Sequence, residues 1–388
     1  MTAPARRAAY RVVRRVFEEG AYADRALDHA VEGLDARDRA LAQRLAYGTV
    51  QRRRTIDHGI DTLGRRPVRK LDPAVLASLR LAGYQLGWTD LPAHAVADDA
   101  VELVRSAGLE RAVAFTNAVA RRLAEGFPSL IASLPEGPLL HSYPDWIAGI
   151  WERDFGREEA LELMRAQNVP PALEVRSDVP VGEPTDVPGA YVVDRVDRAV
   201  MRPMSRASQL AALLVGARDS DRVLDACAAP GGKTAMLRGE VVAVELHAGR
   251  ARMLADQVPP NVRVVQGDVR ELAESGFDRA LVDAPCSGLG VLARRPDLRW
   301  RSTPLPELQL ELVRAAAERL RPGGTLLYSV CTLNADENEA VVDASGLEIE
   351  PLGGEWPRYA HPRRPEFLLT LPHRDGTSGF FIARLRTR

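Results

Sequence analysis

Cysteine is scarce in this chain. Its 388 residues hold three, Cys227, Cys286 and Cys331. An odd number without framework spacing excludes a disulfide-stapled secreted fold and points to a reducing, cytoplasmic setting. Lysine is scarcer still: of 52 basic residues only Lys70 and Lys233 are lysine. That arginine bias weakens arginine clusters as a nucleic-acid signal, whereas a lone lysine directly after Gly231-Gly232 stands out. No apolar run approaches the length that spans a bilayer, and no signal-peptide core follows Met1. Internal repeats and low-complexity segments are also missing. Net charge is only −1, so the overall balance does not single out a nucleic-acid binder.

What is present is a soluble globular composition, 46% hydrophobic and 27% charged, in a chain long enough for two or three domains. Residues 6–125 carry apolar stripes at helical period, for example Ala9, Val12, Val13, Val16 and Phe17, or Leu41, Leu45, Val50 and Ile56. Glycines at 20, 33, 64, 108 and 126 punctuate them, with Asp35 and Asp72 as caps. The expectation is an all-helical domain of six or seven helices over 1–130. Residues 128–144 hold four prolines and read as a linker. A helix pair (144–155 and 158–168) and short strands near 172–175 and 191–196 follow, giving a small α+β unit within 131–204.

From residue 205 onward the pattern is α/β. Apolar strand segments at 222–226, 241–246, 262–266 and 277–282 alternate with helical ones, which implies a parallel sheet with right-handed crossovers. The first strand runs into Asp225-Ala-Cys-Ala-Ala-Pro-Gly-Gly-Lys-Thr234, read as a glycine turn opening a short helix. Glu245 ends the second strand, at the spacing where a carboxylate meets a ribose diol. Asp268 ends the third, within reach of an adenine amino group, and Asp283 ends the fourth. A phosphate-binding P-loop is rejected, because its first glycine would fall on Cys227 and Pro230 removes a backbone donor. Two thiols follow strand ends, Cys286 in Asp283-Ala-Pro-Cys-Ser-Gly288 and Cys331 in Tyr328-Ser-Val-Cys-Thr332. Strand ends of a parallel sheet converge on one crevice, so a thiol pair there is an arrangement for covalent catalysis.

These motifs resemble the RNA cytosine-C5 methyltransferases of the Sun/RsmB/NOP2 type, most closely the bacterial 16S rRNA enzymes with an N-terminal NusB-like domain. Thr116-Asn-Ala-Val-Ala-Arg-Arg-Leu123 resembles that helical domain. The resemblance implies a Rossmann-like S-adenosylmethionine-dependent methyltransferase domain over 205–388, preceded by the NusB-like domain and the small α+β insert. It implies S-adenosyl-L-methionine held by Cys227, Ala228, Ala229, Pro230, Gly231, Gly232, Lys233, Glu245, Asp268 and Asp283, with no metal. By position, Cys331 is the nucleophile, Cys286 the residue that assists release, and Asp283 a partner for the flipped base. Val330 departs from the family's usual threonine.

The segment Ser287–Trp300 also matches the family. Arg294, Arg295, Arg299 and Trp300 place charge beside an aromatic surface, suited to RNA phosphates and bases. RNA, in the family's terms small-subunit rRNA, is the expected partner of a monomer that meets no membrane. The alternatives are the same chemistry on tRNA or another RNA, and a non-catalytic RNA-binding ribosome-assembly factor.

Overall fold

The computed structural model describes residues 3–388. It divides into two compact units, one comprising the chain through Asn168 together with Leu292–Arg301, the other Val169–Val291 with Ser302–Arg388. This differs from the expected boundaries near 130 and 204. The helix pair of the middle segment falls with the N-terminal helices, and its strands fall in the second unit.

The helical unit runs through α1 (Pro4–Glu18), α2 (Ala23–Ala30), α3 (Ala36–Gln51), α4 (Arg53–Gly64), α5 (Pro73–Trp88), α6 (Ala93–Ser106), α7 (Val113–Ser133), α8 (Pro138–His141), α9 (Asp145–Phe155) and α10 (Arg157–Ala166). Local chemistry sets the starts. Asp35 and Asp72 accept from the backbone N–H of Asp38 and Ala74, both at 2.8 Å, and Pro73 occupies the first turn of α5 where its missing donor costs nothing. The apolar stripes meet in one core that includes Val13, Leu45, Ile56, Leu79, Leu103 and Leu123. Pro128 does not end its helix as expected, since α7 continues to Ser133. Phe127, fully buried edge-on against Trp88 at 6.0 Å, anchors this part of α7 to α5.

In the second unit, β1 (Glu174–Arg176), β2 (Glu183–Pro184), β3 (Ala190–Val192) and β4 (Arg202–Pro203) form a small antiparallel sheet in the order β2-β3-β1-β4. Helix α11 (Arg206–Leu214) leads from it into the main sheet. That sheet takes β5 (Arg222–Asp225), β6 (Glu240–Glu245), then α12 (Ala248–Ala255), β7 (Val262–Gln266) and β8 (Phe277–Asp283). After α13 (Leu298–Arg301) of the helical unit come α14 (Pro306–Glu318), β9 (Leu320–Val330), α15 (Glu339–Ser345), β10 (Glu348–Glu350), β11 (Leu368–Thr370), α16 (Pro372–Asp375) and β12 (Phe380–Arg386).

The order is β10-β12-β9-β8-β5-β6-β7, with β11 also paired to β12. Strands β9, β8, β5, β6 and β7 are mutually parallel, whereas β12 runs antiparallel to β9. The chain winds outward from β5 in one direction and from β8 in the other. Their boundary is therefore the topological switch point, where such sheets bind ligands. Leu210 and Leu214 of α11 pack with Val223, Leu281, Leu327 and Ile382 from four neighbouring strands, fixing this centre.

The helix expected after the glycine turn is not there. Thr234–Met236 makes a single 3-10 turn, and the chain is back in β6 by Glu240. Gly239, at φ +85° and packed against the carbonyl of Asp221, turns the chain too soon for a helix to form.

Candidate active site

The carboxyl ends of β5, β6, β7 and β8 carry Asp225, Glu245, Asp268 (two residues beyond β7) and Asp283. Asp225 is buried and accepts from Thr234 Oγ1 at 2.8 Å. Burial lifts its pKa to about 7, and the nearby negative charge of Asp283 adds to that, against the Thr234 hydrogen bond. Glu245 is buried too, and its Oε1 accepts from the backbone N–H of His247 at 2.8 Å and from Arg250 at 2.9 Å. Asp268 stands where expected, but both of its oxygens accept from the Arg270 guanidinium, and this bonding holds the acid below its ordinary range.

The loop between Asp225 and Thr234 is tied to the sheet on both sides: Ala226 N–H donates to Leu281 O at 2.9 Å and Ala228 N–H to Val244 O at 3.0 Å. Gly231 adopts φ +102°, and a Cβ there would lie 2.6 Å from Leu254. Only glycine fits both constraints. Cys227 is half-buried, and burial pushes its thiol above the usual range, so it contributes backbone rather than a thiolate. A glycine cradle facing acids on adjacent strand ends, with Glu245 at the second, fits a ribose-bearing cofactor. Lys233 instead reaches the thiol side: its Nζ donates to Asp283 Oδ2 at 2.8 Å and lies 5.0 Å above the Phe380 ring.

Asp283 is thus held from two directions, since Ser329 Oγ donates to its other oxygen at 2.8 Å. Adjacent lie the thiols, with Cys286 Sγ and Cys331 Sγ 3.5 Å apart. The strand register explains why. Asp283 pairs with Ser329, so the chain leaves β8 and β9 side by side and each reaches its cysteine within three residues. The Cys331 thiol is shifted down, first by the hydrogen bond from Cys286 and also by the Lys233 charge, against burial. Cys286 is shifted up by that same hydrogen bond, then by burial. The two thiols are thus shifted apart, Cys331 toward the thiolate and Cys286 away from it. Val330 is fully buried opposite Phe381, where an apolar side chain needs no partner.

The loop after Cys286 is fixed by close backbone contact. Gly290 N–H donates to Cys331 O at 3.0 Å, Gly379 N–H donates to Gly290 O at 2.8 Å, and a Cβ on Gly290 would sit 2.0 Å from Gly379 O. Ser329, Thr234 and the Gly290–Gly379 pair were not singled out from sequence. The only signal for the first two was adjacency to a motif, Ser329 two residues before Cys331 and Thr234 directly after Lys233.

The arginine-rich segment corrects the RNA expectation for Arg299. Arg299 is fully buried in the helical unit. Its guanidinium donates to Gln51 O at 3.2 Å, Ser142 O at 3.4 Å, Gln167 O at 2.9 Å and Tyr143 Oη at 2.7 Å, and it stacks on the Tyr143 ring at 3.9 Å. Burial lowers its pKa to about 10, which leaves it charged. Trp300 Nε1 donates to Val50 O at 2.7 Å. Val50, Gln51 and Gln167 lie at the carboxyl ends of α3 and α10, where orphan carbonyls and the negative end of the dipole attract a donor-rich cation. Arg299 is committed to capping helices, not to nucleic acid, whereas Trp300 is half-buried with only its indole N–H so used. Arg295 stacks on Tyr22 at 5.2 Å, and Arg294 is half-buried.

Known proteins agree with this architecture. The family "16S rRNA methyltransferase RsmB/F" matches residues 212–386, and the NusB family matches residues 3–125. A "Probable ribosomal RNA small subunit methyltransferase B" of Synechocystis sp. is 30% identical over 98% of this chain and 99% of its own length. The "Ribosomal RNA small subunit methyltransferase B" of Thermus thermophilus is 34% identical, covering 90% of this chain and 89% of that protein. The crystal structure of PH0851 superposes with a TM-score of 0.82 at 22% identity, over 99% of each chain, and so shares the fold. With both parts matched in order and relatives aligned from end to end, the chain belongs to the RsmB/F family of 16S rRNA methyltransferases and carries a NusB-family region at its N-terminus.

Proposed function

We propose that this protein methylates C5 of a cytosine in 16S rRNA through a covalent adduct with Cys331. The observation that carries the reading is the thiol pair: two sulfurs 3.5 Å apart, beside an Asp283–Lys233 ion pair, with only Cys331 shifted toward thiolate. Cytosine C5 is a weak nucleophile. Addition of a thiolate to C6 forms an S–C6 bond and raises electron density at C5, the atom to be methylated. Loss of the C5 proton to a base then lets the S–C6 bond break, with its electron pair returning to the Cys331 sulfur. Cys286, in contact with Cys331, is assigned to this release.

When bound, S-adenosyl-L-methionine supplies an electrophilic methyl group on a sulfonium. The chain's part is to hold it, by the loop Cys227–Lys233 with Glu245 and Asp268. Asp283, fixed by Lys233 and Ser329, faces the thiols and is placed to accept from the cytosine amino group. Reaching C5 and C6 requires an unpaired or extruded base. The NusB-family region is assigned to RNA binding, and Arg294 and Arg295 of the 292–301 segment to phosphate contact.

The test is methyl transfer from radiolabelled S-adenosylmethionine to small-subunit rRNA from cells lacking the enzyme, followed by nucleoside analysis. Label in 5-methylcytidine is expected. Cofactor binding with no label in rRNA, tRNA or intact particles would favour an assembly factor instead.

A further inference from the structure

Neither cysteine loop belongs to a regular element, yet their sulfurs are held at contact distance. Something must fix one loop against the other. Directly after each cysteine stands a hydroxyl residue, Ser287 and Thr332, both buried. Their side chains meet at 2.7 Å, and both point to one carboxylate, that of Glu337.

Glu337 is fully buried in the second unit without a basic partner among its bonds. Its Oε1 accepts from Ser287 N–H at 2.9 Å, Gln309 Nε2 at 3.0 Å and Leu305 N–H at 3.1 Å. Its Oε2 accepts from the Ser287 hydroxyl, from Asn334 Nδ2 at 3.2 Å and, more weakly, from Thr332 Oγ1 at 3.4 Å. Every neighbour is a donor, which only an acceptor on both oxygens satisfies. Gln309 Nε2 also donates to Pro285 O at 2.9 Å, so the residues on both sides of Cys286 are gripped. The backbone carbonyl of Glu337 accepts from Tyr328 Oη at 2.6 Å, which ties it to β9, the strand that delivers Cys331.

We infer that Glu337 is the positioning residue of the thiol pair, a buried carboxylate that locks the Cys286 and Cys331 loops to one another through Ser287 and Thr332. It does not touch the reacting atoms. Its burial without a counter-charge is costly, and the surrounding donors offset that cost only while both loops are in place. The inference rests on the proposed reaction, because it assigns Glu337 to holding the nucleophile and the release residue for that chemistry.

The experiment compares wild type with Glu337→Gln in the rRNA methylation assay, reading kcat, KM for RNA and cofactor affinity separately. Glutamine keeps the size and sets an NH2 against existing donors. The expected result is a kcat about 100-fold lower, the scale of an ångström-level misplacement, with cofactor affinity and KM within about 2-fold. In the Cys286→Ala background, which should accumulate the Cys331 adduct, Glu337→Gln should slow that accumulation by a similar factor. If Glu337→Gln fails to fold, the Ser287→Ala/Thr332→Val double variant decides. It keeps the bonds of Glu337 to Leu305, Gln309 and Asn334 while cutting the hydroxyl links, and the same kcat loss is expected. Full turnover in a folded variant of either kind would overturn the inference and leave the reaction standing. A wild type that makes no 5-methylcytidine would overturn both.

Discussion

Cys286 Sγ lies 3.5 Å from Cys331 Sγ, and the hydrogen bond between them shifts the two thiols in opposite directions. The relationship is what the proposed roles rest on. In the proposed reaction Cys286 stays protonated and Cys331, the thiol shifted down, is the nucleophile. Cys331→Ala should therefore abolish methylation, by at least about 1000-fold. Cys286→Ala should still add to C6 and fail to let go, leaving an RNA–protein band that survives denaturing electrophoresis. Trapping by the Cys331 variant instead would reverse the assignment.

Asp225 gives a prediction about pH. Its folded-state pKa is raised to about 7 from 3.8, mainly by burial. A raised acid binds its proton more tightly in the folded state, so its contribution is fully present below about pH 4 and is lost as pH rises toward 7. Asp225→Asn keeps an acceptor for Thr234 and removes the titration. Denaturant titrations of both proteins should show wild type losing stability relative to the variant between about pH 4 and pH 7, with a constant difference above. A flat difference across that window would mean that Asp225 is not protonated in the fold.

Arg299 is a stability residue. Its guanidinium serves carbonyls at the ends of α3 and α10 and the Tyr143 hydroxyl. Arg299→Ala should cost about 3–5 kcal/mol, the range for removing one member of a buried charged network. Arg299→Lys should not restore it, because an ammonium lacks the planar fork that reaches several carbonyls at once. Thermal unfolding would check both. Near-wild-type stability of the alanine variant would return Arg299 to the surface and to RNA.

These cases also mark what could be read from the chain alone. The strand ends at Asp225, Glu245 and Asp283, and the two cysteines beyond β8 and β9, were legible because each is local: an apolar run stops at a polar or reactive residue, and parallel topology does the rest. The same local reading overcalled the helix after Lys233, where the turn at Gly239 cuts it short. Arg299 and Glu337 were not legible at all. The partners of Arg299 are backbone carbonyls more than 120 residues away in sequence, which carry no sequence signal. Glu337 sits in Asp-Glu-Asn-Glu, which on its own reads as a solvated turn, and only tertiary contact reveals that one of its acids is buried. Arginine beside tryptophan looks alike whether it meets a phosphate or the end of a helix.

Gly290 offers a prediction that needs no titrating group. Its Cα approaches the backbone of Gly379 so closely that any Cβ would fall 2.0 Å from a carbonyl oxygen, an overlap that no rotamer relieves. Gly290 N–H also donates to Cys331 O, so separating the two glycine backbones pulls on the nucleophile's own residue. The cofactor loop, by contrast, is tied to β6 and β8 through Ala228 and Ala226 and shares none of these bonds. Gly290→Ala should therefore lower methyl transfer by about 100-fold while S-adenosylmethionine binding stays within a few-fold of wild type. Calorimetric titration alongside the methylation assay separates the two. Equal loss of binding and turnover would show that the thiol loops and the cofactor loop move as one body, and would remove the basis for treating thiol placement as a separate requirement.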